Sequence, residues 1–278
     1  MPEFVAVEAP QTIEGWYTLH DVYTVDWPSW RAIDFTERDA IVLEARAWLE
    51  SLAADPSAGD SKLYSVVTQK GDLMWCHYRR DPAALNEVEL GLRRLRLFEF
   101  LAPVYSYMSV IEVSLYEVQA MAMRRLTDRG LKPGTPEFDE AMVGEMDKQK
   151  ERMNERLFRA VPPQRYLCFY PMNKRRGEQV NWYALPLKDR RAMMRGHGSI
   201  GHKYAEVVTQ VIGGSTGLDD WEWGVSLHSD DPLQFKKLVY EMRFDPASSW
   251  FAEFGPFYVG VLVAPAAFDA LMDGRLAR

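Results

Sequence analysis

Residues 13–25 alternate between two faces, with Trp16, Thr18 and His20 on one and Tyr17, Leu19 and Asp21 on the other. A period of two predicts a strand. Asp26 before Trp27-Pro28 predicts a helix start, because aspartate caps and proline suits a first turn. The helical pattern runs to about residue 53, and the Pro-, Gly- and Ser-rich stretch 55–60 is a loop. Residues 62–69 and 72–79 read as a hairpin turning at Lys70-Gly71. Asp81-Pro82 opens a second helix to about residue 100, and a strand rich in Tyr and Val follows at 103–113. The order is β-α-β-β-α-β.

The second half repeats that order without repeating its residues. A strand is expected at 164–170, a helix at 186–204, a Val-rich strand at 205–212 and a Gly-rich turn at 213–217. A strand at 220–228, a helix from Asp230-Asp231-Pro232 to about 243, a strand at 254–263 and a short helix at 265–272 complete it. Two ferredoxin-like units in tandem, of α+β class, would form a curved antiparallel sheet with helices on the outside. The expected division is 1–116 for the first unit, 117–162 for an intervening segment and 163–278 for the second. In 117–162 Met, Glu, Lys and Arg dominate, 132–136 breaks the pattern, and 137–158 is strongly helical. It reads as a connecting excursion of two helices, or as a wall contributing Arg156 to a site.

Composition narrows the function. The 278 residues are 47% hydrophobic, enough for real cores. Nine Trp and thirteen Tyr suit pockets for planar ligands. A net charge of -7 argues against nucleic acid as the main partner. Cys76 and Cys168 read as small hydrophobes within strands, as in a reducing compartment. Residues 1–11 have no signal-peptide pattern, and no window reaches the ~20 apolar residues of a membrane span. The expectation is a cytoplasmic protein.

The richest chemistry lies between Tyr170 and Gln210. Met193, His197, Ile200 and Tyr204 follow helical spacing, so His197 faces the core side of its helix. A lone His on an apolar face is more often a core residue than a ligand. Gly196 and Gly198 tilt the reading, since they strip bulk beside the imidazole at a cost to the helix and so suit a flat macrocycle. Histidine is a common axial ligand of haem iron. Residues 196–201 also spell G-x-G-x-x-G, but inside a helix and not after a strand, which rejects a dinucleotide fingerprint. Tyr170 ends a strand before Pro171, either as an edge tyrosine or as a redox-capable phenol. Lys174, Arg175 and Arg176 are a solvated turn or a carboxylate-binding cluster. Gln210 sits in an apolar strand beside Val208 and Ile212, as a structural amide or as an uncharged distal group over a metal. His20, His77 and His228 fall on separate strands, and His202 is off the face of His197.

Together these segments resemble the chlorite dismutase-like family, and within it the Firmicutes-type coproheme decarboxylases. The matches are Glu14-Gly15-Trp16-Tyr17 with Leu19-His20-Asp21, Tyr170-Pro171-Met172-Asn173-Lys174-Arg175, and Met193-Met194-Arg195-Gly196-His197-Gly198-Ser199-Ile200-Gly201. Gly217-Leu218-Asp219-Asp220-Trp221-Glu222-Trp223-Gly224-Val225 and the block 231–245 complete them, so only the middle excursion lies outside the likeness. The resemblance implies a dimeric α+β barrel fold. It implies that iron coproporphyrin III (coproheme) is both substrate and cofactor, converted with hydrogen peroxide to haem b through a radical on Tyr170. His197 would ligate iron, Lys174 would meet a reacting propionate, and Gln210 would be distal. Arg156, Arg243 and Ser248 would hold propionates, with Pro171, Met172 and Asn173 in the binding segment. Where such relatives often carry an Asn, Leu115 stands here. The implied partners are further copies of the chain in a homopentamer, and the ferrochelatase of the same pathway. The rivals are a true chlorite dismutase, whose distal Arg is here Gln210, and a non-catalytic haem-binding or haem-delivery protein.

Overall fold

The computed structural model describes residues 12–114 and 116–276, without the side chains at 114, 116–121 and 149–152. Leu115 and the segment 1–11, read above as lacking a signal peptide, therefore lie outside the described residues. The first half runs β1 (Thr12–Val25), α1 (Trp27–Ala32), α2 (Phe35–Ser51), β2 (Gly59–Val67), β3 (Leu73–Arg79), α3 (Pro82–Arg93) and β4 (Leu101–Ser114). The middle holds α4 (Tyr116–Asp128) and α5 (Pro136–Leu157). The second half runs β5 (Tyr166–Lys174), α6 (Leu187–Lys203), β6 (Thr209–Gly214), β7 (Trp223–Ser229), α7 (Leu233–Met242), α8 (Pro246–Ser249), β8 (Ala252–Phe254), β9 (Tyr258–Val263) and α9 (Phe268–Met272).

Every strand pairing is antiparallel, in the order β7-β6-β4-β1-β3-β2-β9-β5-β8, and β7 also pairs with β5. That last pairing closes the sheet into a barrel. Each half has the ferredoxin-like order, β4-β1-β3-β2 and β9-β5-β7-β6, and the two join at β2–β9 and β4–β6. The α+β antiparallel architecture matches the expectation. Closure removes the exposed edges that an open sheet of two such units would leave.

Three apolar clusters follow from the pleat. Inward residues such as Tyr64, Met74, Tyr107, Phe169 and Val211 fill the barrel, and Met153, Leu157 and Val161 of the middle segment belong to the same buried cluster. Trp30, Ile41, Leu49, Trp75 and Phe268 fill the layer outside the first half. Tyr170, Val225, Phe235, Leu238 and Met242 pack outside the second. Cys76 and Cys168 are free thiols. Among the described residues no helix is long and apolar enough to cross a membrane.

Several element bounds differ from expectation: the strands expected at 164–170, 205–212 and 220–228 are Tyr166–Lys174, Thr209–Gly214 and Trp223–Ser229, and three further differences have local reasons. The helix expected over 27–53 breaks at Ile33, because Asp34 starts a new one by accepting from the Glu37 amide at 3.0 Å. The helix from Pro82 stops at Arg93 and gives way to a 3-10 turn, Arg96–Phe100. The strand over 254–263 is two strands, interrupted around Pro256, which has no amide hydrogen for a ladder.

Candidate functional site

On β5 the pleat sends Leu167 and Phe169 into the barrel. Tyr170, Met172 and Lys174 point outward, toward α6 and α7. β6 turns Gln210 and Ile212 to the same side, and β7 adds Trp223 and Val225. Facing them are Arg190, Met194 and His197 of α6, Val239 and Met242 of α7, and Ser248 of α8. These groups enclose a cavity of about 410 Å³, with apolar walls and a few convergent polar groups as small-molecule sites have.

The helical phase of His197 is as the spacing indicates, and a second residue fixes its ring. Nδ1 lies 3.0 Å from Asp245 Oδ2 and 3.4 Å from Ser248 Oγ. The Asp245 side chain is only 4% exposed, against 26% for His197. A buried carboxylate of this kind holds the proton on Nδ1, leaves Nε2 for the cavity and makes the imidazole a stronger ligand. Asp245 is positioned by a second task. Its Oδ1 accepts from the amides of Ala247 and Ser248, at 2.8 and 3.1 Å, at the start of α8. Among the described residues no three His, Cys, Asp or Glu side chains gather as a metal site. His197 would thus be a sole protein ligand, which fits an ion already held in the plane of a macrocycle.

Tyr170 is buried, with its ring stacked on Phe257 at 4.5 Å and tilted against Phe254 at 5.7 Å. Burial pushes its phenol up, and Arg243 pulls the other way. Lys174 is also buried. Its Nζ donates to the Ala247 carbonyl at 2.7 Å and lies 4.6 Å from the centre of the Trp182 ring. Burial pushes this ammonium down to about 8, opposed by Asp245 and Glu222. At neutral pH it keeps its proton, yet it costs little to discharge. Glu112 lies at another part of the wall, where it accepts from the Trp223 indole at 3.0 Å and burial raises its carboxyl.

The structure thus brings Tyr170, Met172, Lys174, His197, Gln210 and Ser248 to one cavity. It leaves others outside the lining. Pro171 and Asn173 alternate to the opposite side of β5, where Asn173 Oδ1 accepts from the Glu222 amide at 2.7 Å. Arg156 is exposed on α5. Arg243 covers the cavity residue Phe254 from outside, 3.8 Å from the ring centre. Arg175 and Arg176 are exposed and pair with Glu253 and Glu222. Gly196 and Gly198 stand in open space, where a Cβ would meet nothing within 4 Å. The close approach is at Gly201, where a Cβ would come within 3.2 Å of Gln210 Nε2 and 3.5 Å of Met242 Cε.

Sequence reasoning passed over Asp245, Trp182, Trp223, Glu112 and the α6 arginines. Two signals were present. Asp245-Pro246 is a helix-start pair, and 190, 194, 197 and 201 form one stripe at helical spacing.

Comparison with known proteins places the chain by family and fold. A family model described as chlorite dismutase matches residues 38–263. A haem-binding protein from Thermus thermophilus is 38% identical with a TM-score of 0.81, over 96% of this chain and 99% of that one. An arginine-to-lysine variant of chlorite dismutase from Candidatus Nitrospira defluvii shares the fold at 18% identity and a TM-score of 0.69, over 94% of this chain and 95% of that one. A tryptophan-to-valine variant of the same enzyme gives 18% and 0.68, over 94% and 96%.

Proposed function

Because the chain belongs to the chlorite dismutase family, we propose that it is a coproheme decarboxylase, which uses hydrogen peroxide to convert two propionates of iron coproporphyrin III into the vinyl groups of haem b. The observation that carries the reading is the meeting of four residue types in one cavity. These are a histidine backed by a buried carboxylate, a buried tyrosine, a buried lysine and an uncharged glutamine. A haem carrier needs the first of these. It has no need of a redox-capable phenol and a softened ammonium on the same face of β5.

When bound, the iron porphyrin supplies peroxide-driven oxidising chemistry. The chain's own residues divide the rest. Nε2 of His197, whose ring Asp245 orients, would hold the metal of the porphyrin. Tyr170, a phenol of the cavity lining, would give up an electron and a proton together, and burial keeps that proton in place at rest. Lys174 meets a carboxylate as a cation, and its lowered affinity for its proton suits it to release a neutral product edge. Loss of two carboxylates removes charge contacts with such cations and favours product release. The division at 117–162 assigns the porphyrin to residues 163–278. A homopentamer, the ferrochelatase of the same pathway and a cytoplasmic setting go with this reading.

The rival within the family is chlorite decomposition. That reaction needs a cation over the distal face to stabilise an oxyanion, and Gln210 is uncharged. The test is to load the protein with iron coproporphyrin III, add peroxide stepwise and follow pigment mass, with chlorite as a parallel oxidant. The expected result is loss of two carboxyl groups with peroxide, and slow, self-bleaching oxygen release with chlorite. Sustained oxygen release from chlorite with an unchanged pigment would overturn the proposal.

A further inference from the structure

One peptide unit ties Lys174 to His197. The Lys174 ammonium donates to the Ala247 carbonyl at 2.7 Å. The amide at the other end of that peptide, on Ser248, donates to Asp245 Oδ1 at 3.1 Å. The second oxygen, Asp245 Oδ2, accepts from Nδ1 of His197 at 3.0 Å. A row of hydrogen bonds therefore runs from the cation on β5 to the candidate ligand on α6, through the first turn of α8. Lys174, Asp245, Ala247 and Ser248 are all buried.

Such a row transmits charge. A cation on a carbonyl oxygen polarises its peptide and makes the amide at the other end a stronger donor. That amide draws electron density from Asp245 and leaves Oδ2 a poorer acceptor for the imidazole. The positive charge of Lys174 acts in the same sense through a buried medium of low dielectric. The influence is visible from the other end, where Asp245 helps Lys174 to keep its proton against burial. Coupling between two groups is reciprocal. Glu222, the other carboxylate that supports this proton, is engaged elsewhere: it accepts from the Lys174 amide at 2.8 Å and pairs with Arg176 at 3.6 Å. Asp245 is thus the carboxylate that joins Lys174 to His197. A bare ammonium at 174 weakens the ligand that His197 presents. An ammonium whose charge is met by a carboxylate lets Asp245 pull harder on the Nδ1 proton, which strengthens it.

We propose that Lys174 is a positioning residue for the axial ligand. Acting through the Ala247–Ser248 peptide and Asp245, it makes the bond from His197 to a porphyrin iron stronger while a carboxylate of the ligand sits on its ammonium, and weaker once that carboxylate is gone. This rests on the porphyrin reading above and adds a release device to it. A product that has lost the carboxylate at this edge is held by a softer axial bond.

The experiment is resonance Raman spectroscopy of the full chain in the ferrous state, loaded with iron coproporphyrin III or with haem b, reading the iron–histidine vibration. In the wild type the vibration should lie higher with the tetracarboxylate than with haem b. Lys174→Met should raise it with haem b and abolish the difference. Lys174→Arg keeps the charge and should retain the difference. Asp245→Asn should lower the vibration with both pigments, and adding Lys174→Met to it should change nothing further. A role in packing alone predicts no such order. Equal wild-type frequencies for the two pigments would overturn the coupling, and that comparison needs no variant to fold. A Lys174→Met frequency with haem b equal to that of the wild type would overturn it too. The two readings fail separately. A pigment-dependent vibration without decarboxylation by peroxide would sink the activity and keep the coupling. Wild-type decarboxylation with equal frequencies would do the reverse.

Discussion

The two halves of the barrel carry comparable layers with opposite contents. α2 and α6 are each 17 residues long and each covers its own half. α2 buries Ile41, Val42, Ala45 and Leu49 into a layer filled by Trp30, Trp75, Leu97 and Phe268. α6 buries only Arg190, and turns Met194, His197 and Gly201 toward its sheet. One architecture thus supports a packed core on one side and a cavity of about 410 Å³ on the other. Apolar contacts missing under α6 are stabilisation forgone, and the packed first half together with the barrel interior must hold the fold.

The sharpest way to break this comparison is to truncate one side chain in each layer. Trp30 is 1% exposed and its indole donates to the Met272 carbonyl at 2.9 Å. Trp30→Ala should cost about 3–5 kcal/mol in denaturant unfolding. Met194, a cavity residue 43% exposed, should cost within roughly 0.5 kcal/mol as Met194→Ala. Similar losses at both sites would mean that the second layer is packed in solution.

Acid tests the frame that both layers share. Burial pushes His20, His77 and His228 down to about 3. Below about pH 6.5 the unfolded chain takes up three protons that the folded chain refuses, so stability falls as pH drops from 6.5 toward 3. Asp21 works the other way. Its carboxyl is pushed up to about 7 by burial, with Glu89 adding to the push and Arg93 opposing it. It keeps a proton that the unfolded chain loses between about pH 4 and 7, which offsets one of the three. The net loss between pH 7 and pH 5 should be on the order of 3 kcal/mol, and His228→Phe should reduce it. A flat profile over that range would show that these histidines are not buried neutral.

A smaller effect sharpens the cavity side. Asp245→Asn keeps an oxygen to cap α8 and removes the charge behind His197. Iron porphyrin affinity should drop about 10–100-fold with folding nearly intact, read by Soret titration and by the iron–histidine vibration. An unchanged vibration would show that Asp245 does not tune the ligand.

Much of this contrast was legible in the chain. Helical phase placed His197 on the core side of its helix, and the strand pattern put Gln210 on one side with Val208 and Ile212. Local pattern does not carry what depends on partners far away in sequence. The carboxylate behind His197 is 48 residues downstream, and barrel closure rests on β7 pairing with β5. Charge runs misled for a related reason. Lys174, Arg175 and Arg176 read as one cluster or a solvated turn, but Lys174 is buried while the exposed Arg175 and Arg176 pair with exposed Glu253 and buried Glu222.

The central claim is that the hollow layer performs chemistry through Tyr170, beyond binding a porphyrin. It is tested most directly by loading wild-type protein and Tyr170→Phe with iron coproporphyrin III, adding stoichiometric peroxide and measuring pigment mass. Phenylalanine keeps the ring that packs on Phe254 and Phe257 and removes only the hydroxyl. The account predicts that both proteins bind the pigment, that the wild type converts it to haem b, and that Tyr170→Phe consumes peroxide in bleaching without decarboxylation. Conversion by Tyr170→Phe at a near wild-type rate would contradict it.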